Sequence, residues 1–368
     1  MSIKLCGRNR RKVDPREGIY YGTNIIAPKR KQLIYKAAKE YFEKFCKERI
    51  KYYTFYISKG FSYKNSDGKT VKVPKLERQR NPKFKADSTK WRRIDYLPKN
   101  WRLEMRQTVE VLGLSINPKF LHGFLPAKSV ITAGKEIAKA NTVVEVDAKD
   151  AFHQMTRREI YHICRRLLDW NEKLSKWWSY LLAPTGVAQM GNPVVPLFWN
   201  IKVAIILRKV YGRLRRAGVN VMPVSYADDI CFLSDEERLP REAIDTIECI
   251  IGNYLTLNKK KTKIRHKSHG FHKLGLTICP KGITTAYKYK RLHRCHLEYA
   301  LNLKGWYPKY NNKGQWDQRM TTQNNIWGNM EWITNADHPG DKSEKVKENL
   351  RLCRRFDLPY VPTLVVPK

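Results

Sequence analysis

Adjacent carboxylates in Tyr226-Ala227-Asp228-Asp229 are the sharpest chemical feature of the sequence. Two neighbouring Asp side chains repel each other and are costly unless solvated or bound to a cation. A plain polar turn would also use them, because Asp is a common turn residue. Asp147 ends the run Val143-Val144-Glu145-Val146, where an Asp can also serve as a helix cap. Brought beside the Asp228–Asp229 pair, it would complete a divalent-metal site. Mg²⁺ suits such a site, since it takes a few carboxylates plus substrate phosphate oxygens. Two such ions about 3.5–4 Å apart activate an attacking oxygen and stabilise a leaving one. Asp150, about one helical turn further on, reads as a solvated surface residue.

These groups need strands and turns to position them. Residues 143–146 give a short buried-strand signal ending in Asp147. The apolar runs 221–226 and 230–233 are joined by Ala227-Asp228-Asp229 and read as a hairpin with an acidic tip. Helical periods cover residues 32–52, 158–168, 172–182, 197–216 and 241–254, and residues 273–278 fit another strand. Residues 64–81 are polar and basic, and read as a loop that orders on nucleic acid. The order of strand, helices, hairpin, helix and strand describes a small antiparallel sheet backed by helices, an α+β layer. Beyond about Thr285 the chain turns basic again at Lys288, Lys290, Arg291 and Arg294, and a separate, mostly helical appendage is expected.

Composition narrows the partners. The 368 residues allow two or three subdomains around a sizeable core. With 42% hydrophobic and 11% aromatic residues, general disorder is excluded. Lys and Arg number 72 against 34 Asp and Glu, a net charge of +38 that repels itself unless a polyanion neutralises it. Nucleic acid is therefore the natural partner, and a small-metabolite enzyme is not expected. Residues 1–100 hold 28 Lys/Arg and 9 Asp/Glu, which is half of the net charge. The basic residues are spread along the chain, unlike those of one membrane-surface helix. The longest apolar stretch, residues 194–207, is interrupted by Asn200 and Lys202 and is too short to span a bilayer. The N-terminus has no apolar secretory core, and the eight cysteines form no C-x-x-C pair and read as reduced thiols. A cytoplasmic protein without a membrane partner is the expectation. His266, His269 and His272 lack partner cysteines, so a connecting segment is favoured over a zinc site. Trp91, Trp101, Trp306, Trp327 and Trp332 could stack on bases, although core packing is the commoner fate.

Taken together, the motifs resemble those of a reverse transcriptase, over about residues 90–332. Tyr226-Ala227-Asp228-Asp229 resembles the catalytic Tyr-x-Asp-Asp hairpin, and Asp147 followed by Phe152 resembles the first palm motif. Gly191-Asn192-Pro193-Val194-Val195-Pro196-Leu197 with Asn200 resembles the nucleotide-pocket segment. Leu257-Asn258-Lys259-Lys260-Lys261-Thr262 resembles the fourth motif, and Leu274-Gly275-Leu276 the primer-grip strand. Arg92-Arg93-Ile94 and His122-Gly123-Phe124-Leu125-Pro126 resemble the fingers motifs. All seven stand in the family's order.

The resemblance implies an α+β right-hand polymerase fold with fingers, a palm and a helical thumb. Residues 1–140 would form a basic N-terminal region and fingers, 141–282 the palm with inserted fingers helices, and 283–368 the thumb and tail. Asp147, Asp228 and Asp229 would hold two Mg²⁺ ions, with Mn²⁺ as a substitute and the Ala148 carbonyl as a further ligand. Phe152 would be the steric gate favouring dNTPs over rNTPs, a residue that otherwise reads as a core aromatic. Arg92 would contact the triphosphate, where a guanidinium fork suits phosphate, with Lys90 and Lys128 as further candidates. Met190 and Gly191 would line the nucleotide pocket. Lys261 would protonate the pyrophosphate leaving group or neutralise its charge, unless Lys259–Lys261 is only a backbone-binding patch. Met190-Gly191 stands where the family commonly has Gln-Gly, with Gln189 one place earlier, and Val195 replaces a small polar residue. Both departures bear on nucleotide preference.

The length suggests a compact prokaryotic type, related to retron, group II intron or defence-associated enzymes, without a ribonuclease H domain. Lys273-Leu274-Gly275 departs from the Val-Thr-Gly usual in retrons. The expected activity is RNA-directed DNA synthesis from dNTPs, with a structured non-coding RNA as template and scaffold and antiviral defence as the setting. DNA product, and protein partners or self-association, complete the expected contacts. The rivals are an inactive RNA-binding scaffold and an RNA-synthesising polymerase of the same palm architecture.

Overall fold

The computed structural model describes residues 24–58, 61–64, 69–73, 78–79, 91–126, 128–258, 262–280 and 282–285. The expectations for Lys90, Lys261, residues 286–368 with their basic segment, Trp306, Trp327 and Trp332 lie outside these residues. The chain divides into two units by its contacts. One comprises residues 1–129, 146–230 and 242–262, the other residues 130–145, 231–241 and 263–368.

In the first unit, helix α1 (Lys31–Phe45) buries Ile34, Ala37, Ala38, Tyr41 and Phe45 along one stripe. The helix ends well before residue 52, and the aromatic and β-branched run that follows forms strand β1 (Tyr53–Ser58). Tyr41 and Phe45 enter an aromatic cluster with Trp101 of α2 (Lys99–Ser115) and Trp178 of α5 (Glu172–Leu182). Ring centroids stand 4.4 Å apart for Phe45–Trp101 and 5.3 Å for Tyr41–Trp178, and the Trp178 indole donates to the Ala38 carbonyl at 3.2 Å. The expected loop over residues 64–81 is instead partly stranded, as β2 (Phe61–Lys64), β3 (Thr70–Val73) and β4 (Arg78–Gln79). The β-branched Thr70, Val71 and Val73 favour pairing there. β2 pairs with β3, and β1 is flanked by β4 and by β5 (Trp91–Tyr96).

Helix α4 (Arg157–His162) starts at a capping box, with Thr156 and Glu159 bonding each other's backbone N–H. It runs into a π-helical turn, Ile163–Leu167, where an uninterrupted α-helix is expected from the periodicity. Asn171 caps α5 by accepting the Leu174 N–H at 2.9 Å. Helix α6 (Val195–Arg216) is buried around nearly its whole first half, which is why its sequence is almost continuously apolar. Its two polar interruptions are both buried and satisfied. Asn200 donates to the Gly123 carbonyl at 2.6 Å, and the Lys202 ammonium bonds the Gln154 carbonyl and Glu159. Helix α7 (Arg241–Gly252) buries Ile244, Ile247 and Ile251.

Strands β6 (Thr142–Asp147), β7 (Met222–Tyr226), β8 (Asp229–Ser234) and β9 (Lys263–His266) form a sheet in the order β7-β8-β6-β9. In the second unit, β6 and β9 run antiparallel, with Thr142 opposite His266. Glu145 is buried there, with Arg265 Nε at 3.5 Å and Lys273 Nζ at 3.8 Å. The expected single strand over residues 273–278 is two strands, β10 (Phe271–Lys273) and β11 (Leu276–Cys279), with β12 (Gly282–Thr285) beyond. Leu274 and Gly275 both have positive φ (53° and 80°), the pairing that a tight hairpin turn requires. Helix α3 (Val130–Ile137) packs on this sheet, with Gly134 in close approach to Leu276. His266 Nδ1 lies 3.2 Å from Thr142 Oγ1 and 3.0 Å from the Glu237 carbonyl, and His272 Nδ1 lies 2.9 Å from Thr277 Oγ1.

Among the described cysteines, Cys164 and Cys231 are buried, and Cys249 is exposed. Among the described residues, no helix is long and apolar enough to cross a membrane.

Candidate active site

The acidic turn is a two-residue link between β7 and β8, formed by Ala227 and Asp228, with Asp229 opening β8. Ala227 has φ 56°, a left-handed conformation that costs an L-residue about 1–2 kcal/mol. Surrounding contacts hold it there. The Trp199 indole N–H donates to the Ala227 carbonyl at 2.9 Å, and Ser225 Oγ donates to the same oxygen at 3.3 Å. The His122 N–H donates to the Ser225 carbonyl at 2.8 Å, and the Ser225 N–H to the Phe120 carbonyl at 2.9 Å. A Cβ on Gly123 would stand 2.5 Å from the Ala227 nitrogen. Only glycine therefore allows residues 120–123 to lie so close against the turn. The strand pair thus carries Asp228 exposed and Asp229 half-buried on a rigid mount.

Asp147 reaches the same edge by strand pairing. β6 and β8 are neighbours, and the Asn141 N–H just before β6 donates to the Ser234 carbonyl at the end of β8 at 2.9 Å. The strands therefore run in opposite directions, and the end of β6 that carries Asp147 stands at the edge where β8 begins with Asp229. On its other side, Ala148 bridges Leu257 in antiparallel fashion. The Asn258 N–H donates to the Asp147 carbonyl and the Lys149 N–H to the Thr256 carbonyl, both at 2.9 Å. In such a pair the bridging residue's own carbonyl points away from its partner. The Ala148 oxygen is thus turned from the Leu257 segment, whereas the Asp147 carbonyl is already engaged. Gln154 fastens this arrangement. Its Nε2 donates to the Lys149 and Thr256 carbonyls at 2.5 and 2.9 Å, and its Oε1 accepts the Thr256 N–H at 2.7 Å.

Every donor at this edge is oxygen, the kind that a hard divalent cation takes, so the residue types fit such an ion. The side chains themselves are not drawn into a chelating trio. Among the described residues, no three His, Cys, Asp or Glu side chains form a group that could hold a metal. The structure brings the three Asp positions to one edge.

Phe152 is half-buried in the short 3₁₀ turn Ala151–Gln154 after β6, and its ring meets Trp199 edge-on, with centroids 6.0 Å apart. Met190 and Gly191 are stitched to β5: the Asp95 N–H donates to the Met190 carbonyl at 2.8 Å. Gly191 has φ 103°, and a Cβ there would stand 2.6 Å from the Asp95 carbonyl oxygen, so this position demands glycine twice over. Arg92 lies on the same strand, opposite Ile57. Asp95 is buried and accepts from Thr54 Oγ1 at 2.5 Å and Arg93 Nε at 3.0 Å. Gln189 does not stand in for a glutamine at position 190. Its amide donates to Thr185 Oγ1 and to the Val187 carbonyl (3.1 Å), within its own loop. Trp199 and Gln154 escape sequence reasoning, since a Trp in an apolar helix and a Gln in a short turn announce no hydrogen-bond partner.

Residues 81–278, more than half of the chain, match the family model described as reverse transcriptase (RNA-dependent DNA polymerase). The chain belongs to that family, and its mixed architecture around a small antiparallel sheet is a right-hand polymerase fold. It is 22% identical over 199 residues to the retron Se72 reverse transcriptase of Salmonella heidelberg (strain 579083-10), covering 52% of this chain and 52% of that protein. Retron Mx65 reverse transcriptase of Myxococcus xanthus is 23% identical over 190 residues, covering 46% and 43%. The chain thus spans about half the length of the curated relatives it matches. Both of these relatives are retron enzymes. Among solved structures, telomerase from Candida albicans in complex with a telomeric RNA fragment aligns at TM-score 0.39 and 10% identity, covering 88% of this chain and 62% of that one. A truncated apo telomerase from Candida tropicalis aligns at 0.38 and 9%, covering 69% and 60%.

Proposed function

We propose that the chain is an RNA-directed DNA polymerase in which Asp147, Asp228 and Asp229, with the Ala148 carbonyl, bind two Mg²⁺ ions, Mn²⁺ being able to replace them. The observation that carries this reading is the placement of Asp147 at the edge where the Ala227–Asp228 turn emerges, inside the segment that matches the family. Bound there, the ions would activate the attacking oxygen and stabilise the leaving one. The reaction joins a primer 3′-oxygen to the α-phosphorus of a dNTP and breaks the α–β bridge, so that pyrophosphate leaves. The turn's task is to present Asp228 and Asp229 at fixed positions, and the Gln154 bonds fix the Asp147–Ala148 segment beside Thr256–Asn258. Phe152 fills the space of a ribose 2′-hydroxyl, Met190 and Gly191 shape the pocket, and Arg92 meets the triphosphate. Lys261, three residues beyond Asn258, takes the leaving-group role. Residues 1–140 serve as N-terminal region and fingers, 141–282 as palm and 283–368 as thumb.

A structured non-coding RNA is the proposed template and scaffold, with phage defence as the setting. The net charge of +38 and the similarity to retron enzymes support it. The test uses the full chain with its co-purified RNA, Mg²⁺ and labelled dNTPs or rNTPs. DNA product is expected, reduced roughly a hundredfold or more by Asp228→Asn. RNA product would favour the RNA-synthesising rival, and no product the inactive scaffold.

A further inference from the structure

We propose that Trp199 is a positioning residue that couples nucleotide selection to the acidic turn. Its two ends make two different contacts. The indole N–H holds the Ala227 carbonyl at 2.9 Å, and the ring supports Phe152 edge-on at 6.0 Å and 74°. Trp199 is fully buried on α6, so it cannot swing away from either partner without opening the core. The next residue along the helix, Asn200, holds the Gly123 carbonyl at 2.6 Å, and Gly123 itself lies against the Ala227 backbone. One helical segment thereby grips the strained turn directly and through its neighbour.

A left-handed Ala relaxes once its restraints go, and relaxation moves the adjacent Asp228. Phe152 is only half-buried, and Trp199 is the aromatic wall behind it. A nucleotide that presses on the Phe152 ring therefore presses, through one rigid indole, on the carbonyl that sets the turn. An rNTP, whose 2′-hydroxyl collides with that ring, would be penalised in the rate of the step as well as in binding. This inference rests on the reading of Phe152 as the sugar gate and of Asp228 and Asp229 as the reacting site's carboxylates.

Two substitutions separate the two contacts. Trp199→Phe keeps an aromatic ring behind Phe152 and removes the N–H, and Trp199→Leu removes both. Single-turnover extension by the full chain, with dGTP and with rGTP, gives the maximal rate and apparent nucleotide affinity for each. Trp199→Phe is expected to slow dGTP incorporation about tenfold, the scale of one lost buried hydrogen bond. Apparent affinities should stay within about twofold of the parent, and the dGTP/rGTP ratio of maximal rates should be lowered about threefold, because the push on the ring no longer reaches the turn. Trp199→Leu is expected to lose rate similarly and to lower the preference about tenfold. In a Phe152→Ala background, Trp199→Leu should leave the preference unchanged, because the ring it supported is gone.

Hydrogen exchange at residues 227–230 provides a readout that needs no activity, and it should quicken about tenfold in Trp199→Phe. If the parent makes no DNA, the proposed function fails, while the exchange result still judges the indole bond. An unchanged rate and unchanged exchange in Trp199→Phe would overturn the coupling. So would rate losses in both variants that only track loss of folded protein.

Discussion

At Ala227 and Gly123 two backbones are pressed together, and both positions favour the absence of a Cβ. Ala227 sits at φ 56°, so Ala227→Gly relieves left-handed strain without touching the carbonyl that Trp199 holds. The expected gain is about 1 kcal/mol, a rise of roughly 1–2 °C in thermal midpoint for a chain of this size. Gly123→Ala is the reverse case, because its new methyl group would meet the Ala227 nitrogen at 2.5 Å and backbone cannot yield as a side chain can. A loss of about 1–3 kcal/mol is expected in the same melting experiment, together with slower DNA synthesis, since the displaced atoms carry Asp228. Tyr52 supplies a pH test. Burial raises its phenol well above the ordinary value of 10.0, with the nearby Asp95 adding to the rise. The unfolded chain therefore gives up this proton first, so its stabilising effect is intact below pH 10 and is lost as pH climbs beyond it. Urea midpoints at pH 8 and pH 11 should fall less in Tyr52→Phe than in the parent.

At the scale of elements, the test sites are the turns and clamps between strands. Leu274 and Gly275 make the β10–β11 turn with positive φ at both positions, so Gly275→Val should cost about 1–2 kcal/mol. Faster amide exchange in residues 271–279 would register it. Gln154→Ala removes three hydrogen bonds to Lys149 and Thr256, and a loss of about 1–3 kcal/mol is expected on thermal melting. The same two places mark what the sequence could and could not convey. Helix α5 is legible to the residue, because its apolar stripe has the helical period and Asn171 marks its start. The β7–β8 hairpin is legible too, because two apolar runs are separated by a short polar link. Residues 273–278 mislead, since their apolar texture hides a turn that depends on the φ of Leu274 and Gly275. Residues 46–52 mislead in the other direction, because a helical period continued past the end of α1. Of the site, Asp147, Asp228, Asp229 and Phe152 stand out by type and spacing. Trp199 and Gln154 do not, because their work is done through hydrogen bonds to distant main chain that no local pattern records.

For the whole molecule, the excess of positive charge predicts how the proposed RNA partner would bind. Phosphate contacts release counterions, so log affinity should fall linearly as log salt rises. Six such contacts would weaken binding about 10³-fold between 50 and 200 mM salt, as read in a filter-binding or anisotropy titration. All of this serves one arrangement, the meeting of Asp147 with the Ala227–Asp228 turn. Its most direct test is a Mn²⁺ titration, followed by paramagnetic resonance, of the full chain bound to template, primer and a non-reacting dNTP analogue. Two ions per chain are expected in the parent, and Asp147→Asn and Asp228→Asn should each lose at least one at the same Mn²⁺ concentration. Undiminished binding in Asp147→Asn, with the folded fraction unchanged, would contradict the account by showing that this carboxylate does not share the site.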